Sequence, residues 1–214
     1  MVEIGMYAGD PHLIGGRECL DFANTVGGNR HIYQREYLNS YADLVAWSRL
    51  AGLVTDSEAQ HLLAKATRRP AEAAQAFEQA ILLREAIYRI FSAIAAEGSP
   101  EAADLAILNS ALAEALTRLQ ITSTGDGFTW TWRKEPKALD PMLWSLARSA
   151  GELLTSAELH QVSECAGDTC SWLFIDTSRN HSRRWCDMKD CGNRAKAKRH
   201  YERSRSAITV NAQY

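Results

Sequence analysis

The sequence predicts a mainly α-helical protein: a helical N-terminal domain with a short strand element, then a small C-terminal four-cysteine zinc module. Three observations carry this prediction. Capped apolar runs recur at helical spacing between residues 40 and 154, the period switches to strict alternation near residue 128, and four of the five cysteines gather in the last quarter. With 214 residues, of which 46% are hydrophobic, the chain is long enough to bury a helical core and carry an appended module. Glu3 and Asp10 interrupt the N-terminus and no 18-residue apolar run occurs anywhere, so a cytoplasmic protein without signal peptide or membrane contact is expected.

Residues 1–30 are glycine-rich and contain the segment Gly15 to Thr25, GGRECLDFANT. Asp21, Asn24 and Thr25 alternate with Leu20, Phe22 and Val26, so they either line a ligand pocket or cap a helix and satisfy turn backbone, the commoner use of such side chains. Cys19 has no neighbouring base and reads as a small buried hydrophobe rather than a nucleophile.

The next helices are punctuated by their own caps. Ser40 with Asp43 has capping-box spacing ahead of Leu44, Val45, Trp47 and Leu50, and Gly52 stops that run. Thr55 and Glu58 form a fuller box before Leu62 and Leu63, with Pro70 beyond. Pro70 to Gly98 reads as the longest helix, with Phe77, Ile81, Ile87, Phe91 and Ile94 on its apolar face and Arg84 on its polar side. Ser99-Pro100 opens another, carrying Leu105, Leu108, Leu112, Leu116 and Leu119. Past Gly125, Phe128, Trp130 and Trp132 alternate with Thr129, Thr131 and Arg133, a strand with an aromatic face expected to pack on the helices. Asp140-Pro141 starts a connector helix through Leu154, and a domain boundary is expected near Leu159 to Glu164, dividing the chain into residues 1–160 and 161–214.

Cys165 and Cys170, then fifteen residues, then Cys186 and Cys191, make two short-spaced pairs. Each pair supplies two corners of a tetrahedron, the pattern of a structural zinc site, with two disulfides or an iron–sulfur cluster as the alternatives. Four cysteines leave no open coordination position, so the metal holds shape rather than doing chemistry, although thiolates that lose it can oxidise. Trp172 to Asp176 should form a strand that turns at Ser178 to Asn180 and returns through Arg183 to Trp185, a treble-clef or ribbon-like hairpin. Asp190 is expected to cap a helix that Cys191 opens and that runs to about Arg205.

Charge separates the two halves. Between Thr177 and Ser206 ten Lys/Arg face three carboxylates, a local charge of +7, which leaves −9 on the rest of the chain. A basic nucleic-acid-binding end on an acidic body fits that asymmetry, a solvated helical face being the plain alternative. Arg183, Arg184, Asn193, Arg194, Lys196, Lys198, Arg199, Arg203 and Arg205 are the candidate contacts.

Cys191-Gly192-Asn193-Arg194, with the preceding cysteine pairs and the basic helix, resembles the CGNR zinc finger of bacterial transcription regulators, and the Gly15 to Thr25 segment resembles the opening motif of the helical ABATE domain that precedes that finger. The resemblance implies a stress-responsive DNA-binding regulator with zinc on Cys165, Cys170, Cys186 and Cys191. DNA is therefore the expected partner, met through phosphate contacts from the terminal helix and base contacts from one or two of Asn193, Arg194 and Lys198. One small module specifies little sequence, so a homodimer or a second contact is expected. An RNA-binding finger, favoured if Trp172, Trp185 and Tyr201 stand exposed, and a protein-docking finger under a small-molecule-binding N-terminal domain are the other readings. No phosphate loop, dinucleotide fingerprint, H-E-x-x-H or G-x-S-x-G motif points to an enzyme.

Overall fold

The structure is a computed structural model that describes residues 13–211, with side chains described as far as Ser204. Its centre is α4 (Pro70–Ala95), opened by a proline whose missing N–H costs nothing in the first turn. Ala76, Ala80, Leu83, Ile87, Ile90 and Phe91 recur every three or four residues along it and are buried. Against α4 pack α1 (Glu18–Ala23), α2 (Tyr41–Leu50), α3 (Asp56–Arg68), α5 (Ala102–Leu116) and α6 (Pro141–Leu154). The caps sit where their spacing put them. Ser40 accepts the Asp43 N–H, and Thr55 and Glu58 exchange both bonds of a capping box. Among the described residues no helix is long and apolar enough to cross a membrane.

Three elements differ from the sequence expectation. The hairpin of β1 (Val26–Asn29) and β2 (Tyr33–Glu36) has no counterpart in it; at Gly28, φ is +83° and an added Cβ would lie 2.3 Å from the Tyr33 carbonyl oxygen, so only glycine serves there. That hairpin corrects the place of Arg84, which is not on a solvated polar side but 2% exposed. Both terminal nitrogens of Arg84 donate to the Glu36 carboxylate at 2.7 Å, because β2 brings Glu36 over that side of α4. Beside it Arg30 donates to Glu85 at 2.6 Å and to the Ala23 carbonyl at 2.7 Å, and stacks 4.0 Å above the Tyr88 ring.

The helix carrying Leu105 to Leu116 ends there. Leu119 opens β3 (Leu119–Thr124), whose threonines and isoleucine suit a pleated surface, so its helical spacing from Leu116 does not place it in α5. β3 pairs antiparallel with β4 (Gly127–Trp132) across a two-residue loop, Ile121 facing Trp130. Of the aromatic face only Trp132 packs as expected, 6.0 Å from the Trp144 ring with its indole N–H donating to Ser145 at 3.0 Å. Phe128 and Trp130 remain exposed.

In the C-terminal part, β5 (Val162–Glu164) pairs antiparallel with β6 (Leu173–Ile175), Val162 opposite Ile175, and α7 (Asn193–Asn211) ends the described chain. The expected return strand through Arg183 to Trp185 is not the partner of β6. The Arg183 N–H instead donates to the Asp176 carboxylate and the Arg184 carbonyl accepts from the Ala166 N–H, both at 2.8 Å, so this arm crosses the cysteine knuckle rather than the strand edge.

Candidate metal centre and basic helix

Cys165 follows β5, Cys170 precedes β6, and Cys186 and Cys191 both precede the terminal helix, Cys191 in the turn that leads into it. All four thiols are buried and their sulfurs lie within 4.8 Å of one another. Cys170 and Cys186 sulfurs are 3.6 Å apart and Cys186 and Cys191 sulfurs 3.7 Å apart. Zinc–sulfur bonds of about 2.3 Å in a tetrahedron set sulfur–sulfur edges of about 3.8 Å, so the residues fit a single zinc ion. A disulfide needs about 2.05 Å, and the four cysteines are unpaired. Around the sulfurs the backbone folds back: the Cys186 N–H donates to Cys165 Sγ at 3.4 Å, the Cys170 N–H to the Gly167 carbonyl and the Cys165 N–H to the Trp172 carbonyl. Bound there, zinc supplies a fixed charge and four fixed corners. The protein supplies thiolates. The Cys191 thiol is lowered to about 7: its Cys165 contact and burial act against ionisation and are outweighed by hydrogen bonds with Cys170, Cys186 and Arg194, while contacts with the neighbouring sulfurs push the Cys170 and Cys186 thiols up.

The basic helix begins differently from its sequence expectation. Asp187, not Asp190, is the cap: its carboxylate accepts the Lys189 N–H at 2.7 Å and a π-helical turn, Met188–Gly192, leads into α7. The wide turn places Cys191 at the metal and orients the first turn of α7. Asn193 donates back to the Lys189 carbonyl at 2.8 Å, and Arg194 donates to Cys191 Sγ at 3.1 Å while pairing with Asp190 at 3.2 Å. Both polar residues of the CGNR motif therefore serve the knuckle. Arg183 does likewise, lying 4.4 Å over the Phe174 ring and donating to the Trp185 and Cys186 carbonyls. Lys198 bridges to Asp168 at 2.5 Å, tying α7 to the loop between Cys165 and Cys170.

Of the remaining candidates, Lys196, Arg199 and Arg203 are exposed, share one face of α7 by their spacing, and form no ion pair among the described residues. Arg184 is exposed and lies 5.5 Å from the Trp185 ring. The side chain of Arg205 lies outside the described residues. A groove of about 400 Å³ separates α7 from the Cys165–Cys170 loop, with Arg184, Arg194, Lys198 and Arg199 among its lining. Trp172 and Trp185 are half-buried, the Trp172 indole N–H donating to the Val26 carbonyl at 2.9 Å, while Tyr201 is exposed.

The Gly15 to Thr25 segment meets this module directly. Asn24, 3% exposed, accepts the Leu173 N–H and donates to the Leu173 carbonyl, both at 2.8 Å, matching the peptide as a neighbouring strand would. Thr25 donates to the Phe22 carbonyl at 2.7 Å and receives Arg84. Asp21 accepts the Gly15 N–H at 2.7 Å, and burial pushes its carboxyl up to about 6. None of the three lines the described cavities; they hold helix α1, the glycine turn and β6 together. Cys19 is fully buried and burial pushes its thiol up to about 12, as a packed hydrophobe. Sequence reasoning missed this docking because an Asn that mimics a peptide carries the same local signature as one that caps a turn.

Two family models match the chain. The model described as "ABATE: Putative stress-induced transcription regulator" covers residues 16–157, and the CGNR zinc finger model covers residues 161–204. Among curated proteins the chain has no match.

Proposed function

Because this chain belongs to the family described as "ABATE: Putative stress-induced transcription regulator" and carries a CGNR zinc finger, we propose that it regulates transcription by laying the free cationic face of α7 on duplex DNA. The observation that supports this is the division of labour among the basic residues. Arg183, Asn193 and Arg194 serve the knuckle, and Lys198 ties the helix to it, whereas Lys196, Arg199 and Arg203 project from one face with no acidic partner among the described residues. As far as Ser204 the side chains of α7 are exposed, with Ala195 half-buried, rather than folded onto the acidic body. Phosphate neutralisation is therefore the work of Lys196, Arg199, Arg203 and Arg184, and Arg194 positions the helix instead of reading bases. In this reading residues 1–160 form the sensing unit and residues 161–214 the contact unit.

Salt-dependent binding to duplex DNA tests it. The zinc-loaded protein should bind with log affinity falling linearly in log salt, and a K196A/R199A/R203A variant should lose about 0.9 of slope per phosphate contact removed, with unchanged zinc content. Equal slopes, or no binding at low salt, would sink the proposal.

A small-molecule role for the N-terminal unit has its own observation. A cleft of about 490 Å³ between α3 and the loop after β4 has Leu53, Leu62, Trp132 and Trp144 in its lining, with Lys65 and Arg133 beside them. Glu58 and Glu135 line it as well, so its size and apolar lining suit a small, largely apolar effector with a polar end.

A further inference from the structure

The β3–β4 hairpin carries a surface that the DNA reading leaves unused. On one face stand Ile121, Phe128 and Trp130, exposed at 59%, 80% and 53%, while the other presents Gln120, Thr122, Thr129 and Thr131. The base of the hairpin is fixed by Trp132 seated against Trp144, so the exposed aromatics are held on a rooted support. From Leu119 to Trp132 there is no Lys, Arg or Pro, and the single carboxylate is Asp126 in the loop. Both outer edges of this two-stranded sheet are unpaired among the described residues. Charge, proline and bulges are the devices that keep solvent-facing strands apart, and none protects this one.

We propose that this face is a dimerisation surface, covered by the same face of a second copy across a two-fold axis. Charge selects that occupant. Outside residues 177–206 the chain carries −9, so two bodies repel over most of their surface, and an isologous contact sets like against like. An uncharged patch is where that repulsion is smallest. Nucleic acid finds no cation on the hairpin, and Arg148 of α6, 5.9 Å from the Trp130 ring, is paired with Glu152 at 2.6 Å; a lipid surface would have to admit Asp126, at the tip, before the aromatics. The three side chains expose on the order of 350 Å² per copy, given the 150–250 Å² that an aromatic ring can bury, and a standard interface buries about 800 Å² per partner. The dimer is accordingly a weak one, dissociating at roughly micromolar concentration, with the sheets stacked about 10 Å apart and Phe128 and Trp130 interleaved.

Sedimentation of the zinc-loaded full chain across the micromolar range tests this. The wild type should show a reversible monomer–dimer equilibrium, and both F128S/W130S and I121K should stay monomeric, a rise of at least tenfold in the dissociation constant. Because these positions are exposed, circular dichroism and zinc content should not change, which separates lost association from lost folding. A wild type that is monomeric throughout, or a dimer that survives both variants, overturns the proposal. So does monomer binding to phosphatidylcholine vesicles that the same substitutions abolish, since that would give the patch to a membrane. The outcome is independent of whether α7 binds DNA.

Discussion

The helical body and the finger bury themselves by different means. The body does it with apolar stripes: α4 offers Leu83, Ile87, Ile90 and Phe91, and α6 offers Met142, Leu146 and Ala150, all within one continuous core. The finger has its own smaller core of four cysteines around Phe174, with Ile14, Trp172 and Trp185 at its edge. A cluster that size cannot offset the chain entropy of some forty residues by hydrophobic burial alone. The metal makes up the difference for the knuckle, and the body makes it up for the strands, since Val162, Leu173 and Ile175 belong to the body's core. The finger is thus held by zinc at one end and at the other by the body, where Asn24 matches the Leu173 peptide and the Val26 and Gly28 carbonyls accept from Trp172 and Ser171. Its basic helix depends on the first anchor, because between Asn193 and Ser204 only Ala195, Ala197 and Tyr201 offer apolar surface.

The largest effect should come from the metal. Chelation, or Cys170→Ser, should remove on the order of 10 kcal/mol of folding free energy from the knuckle. Hydrogen exchange should then show lost protection in the cysteine knuckle and α7, while β6, α4 and α6 stay protected at a lowered melting temperature. Protection of α7 that persists without zinc would show that the helix is held by something other than the knuckle.

Asn24→Ala breaks the second anchor. It leaves the N–H and carbonyl of Leu173 buried without partners, at a cost of about 2–4 kcal/mol. Urea unfolding should register that loss, with exchange quickened first at Leu173 and Ile175. Asn24→Asp keeps the acceptor, loses the donor and buries a charge, so it should be worse than alanine. A neutral Asn24→Ala would mean that β6 is held by apolar packing alone.

These two anchors differ in how far the sequence shows them. The four cysteines announce themselves because a tetrahedron needs few residue types at short spacing, and the helices announce themselves through Ser40, Thr55 and Pro70, whose capping chemistry is local. Asn24 pairs with a peptide 149 residues away, and nothing in its neighbourhood encodes that distance. The same limit hid the burial of Arg84, which is polar by type and buried only because a hairpin from residues 26–36 closes over it. The roles inside the CGNR motif were illegible for a related reason. Arg194 looks like any other cation of a basic helix until the π-helical turn brings its guanidinium to a sulfur.

Within the glycine turn, Asp21 gives the comparison a pH signature. Its carboxyl is pushed up to about 6 by burial, against an ordinary value of 3.8. Between those values the folded protein holds at Asp21 a proton that the unfolded chain has released, so the contribution of Asp21 to stability is fully present below pH 3.8 and falls as pH rises towards 6, by about 2–3 kcal/mol in all. Asp21→Asn should flatten that decline while its side-chain oxygen still accepts the Gly15 N–H. An unchanged slope between pH 4 and pH 6 would assign the decline to another group.

The smallest effect belongs to the pair that a count of ion pairs would rank highly. Lys198 and Asp168 join α7 to the knuckle loop at 2.5 Å, yet their side chains are 57% and 65% exposed. Water and salt screen such a pair, and two flexible side chains must be ordered to make it, so Lys198→Ala should cost little stability and nothing measurable in high salt. Zinc affinity should not change, because neither residue touches a thiol. A loss well above that, or zinc released at lower chelator concentration, would show that charge shares with the metal the work of holding the helix. The Lys198→Ala and Arg194→Ala variants would then behave alike, although only Arg194 reaches a sulfur.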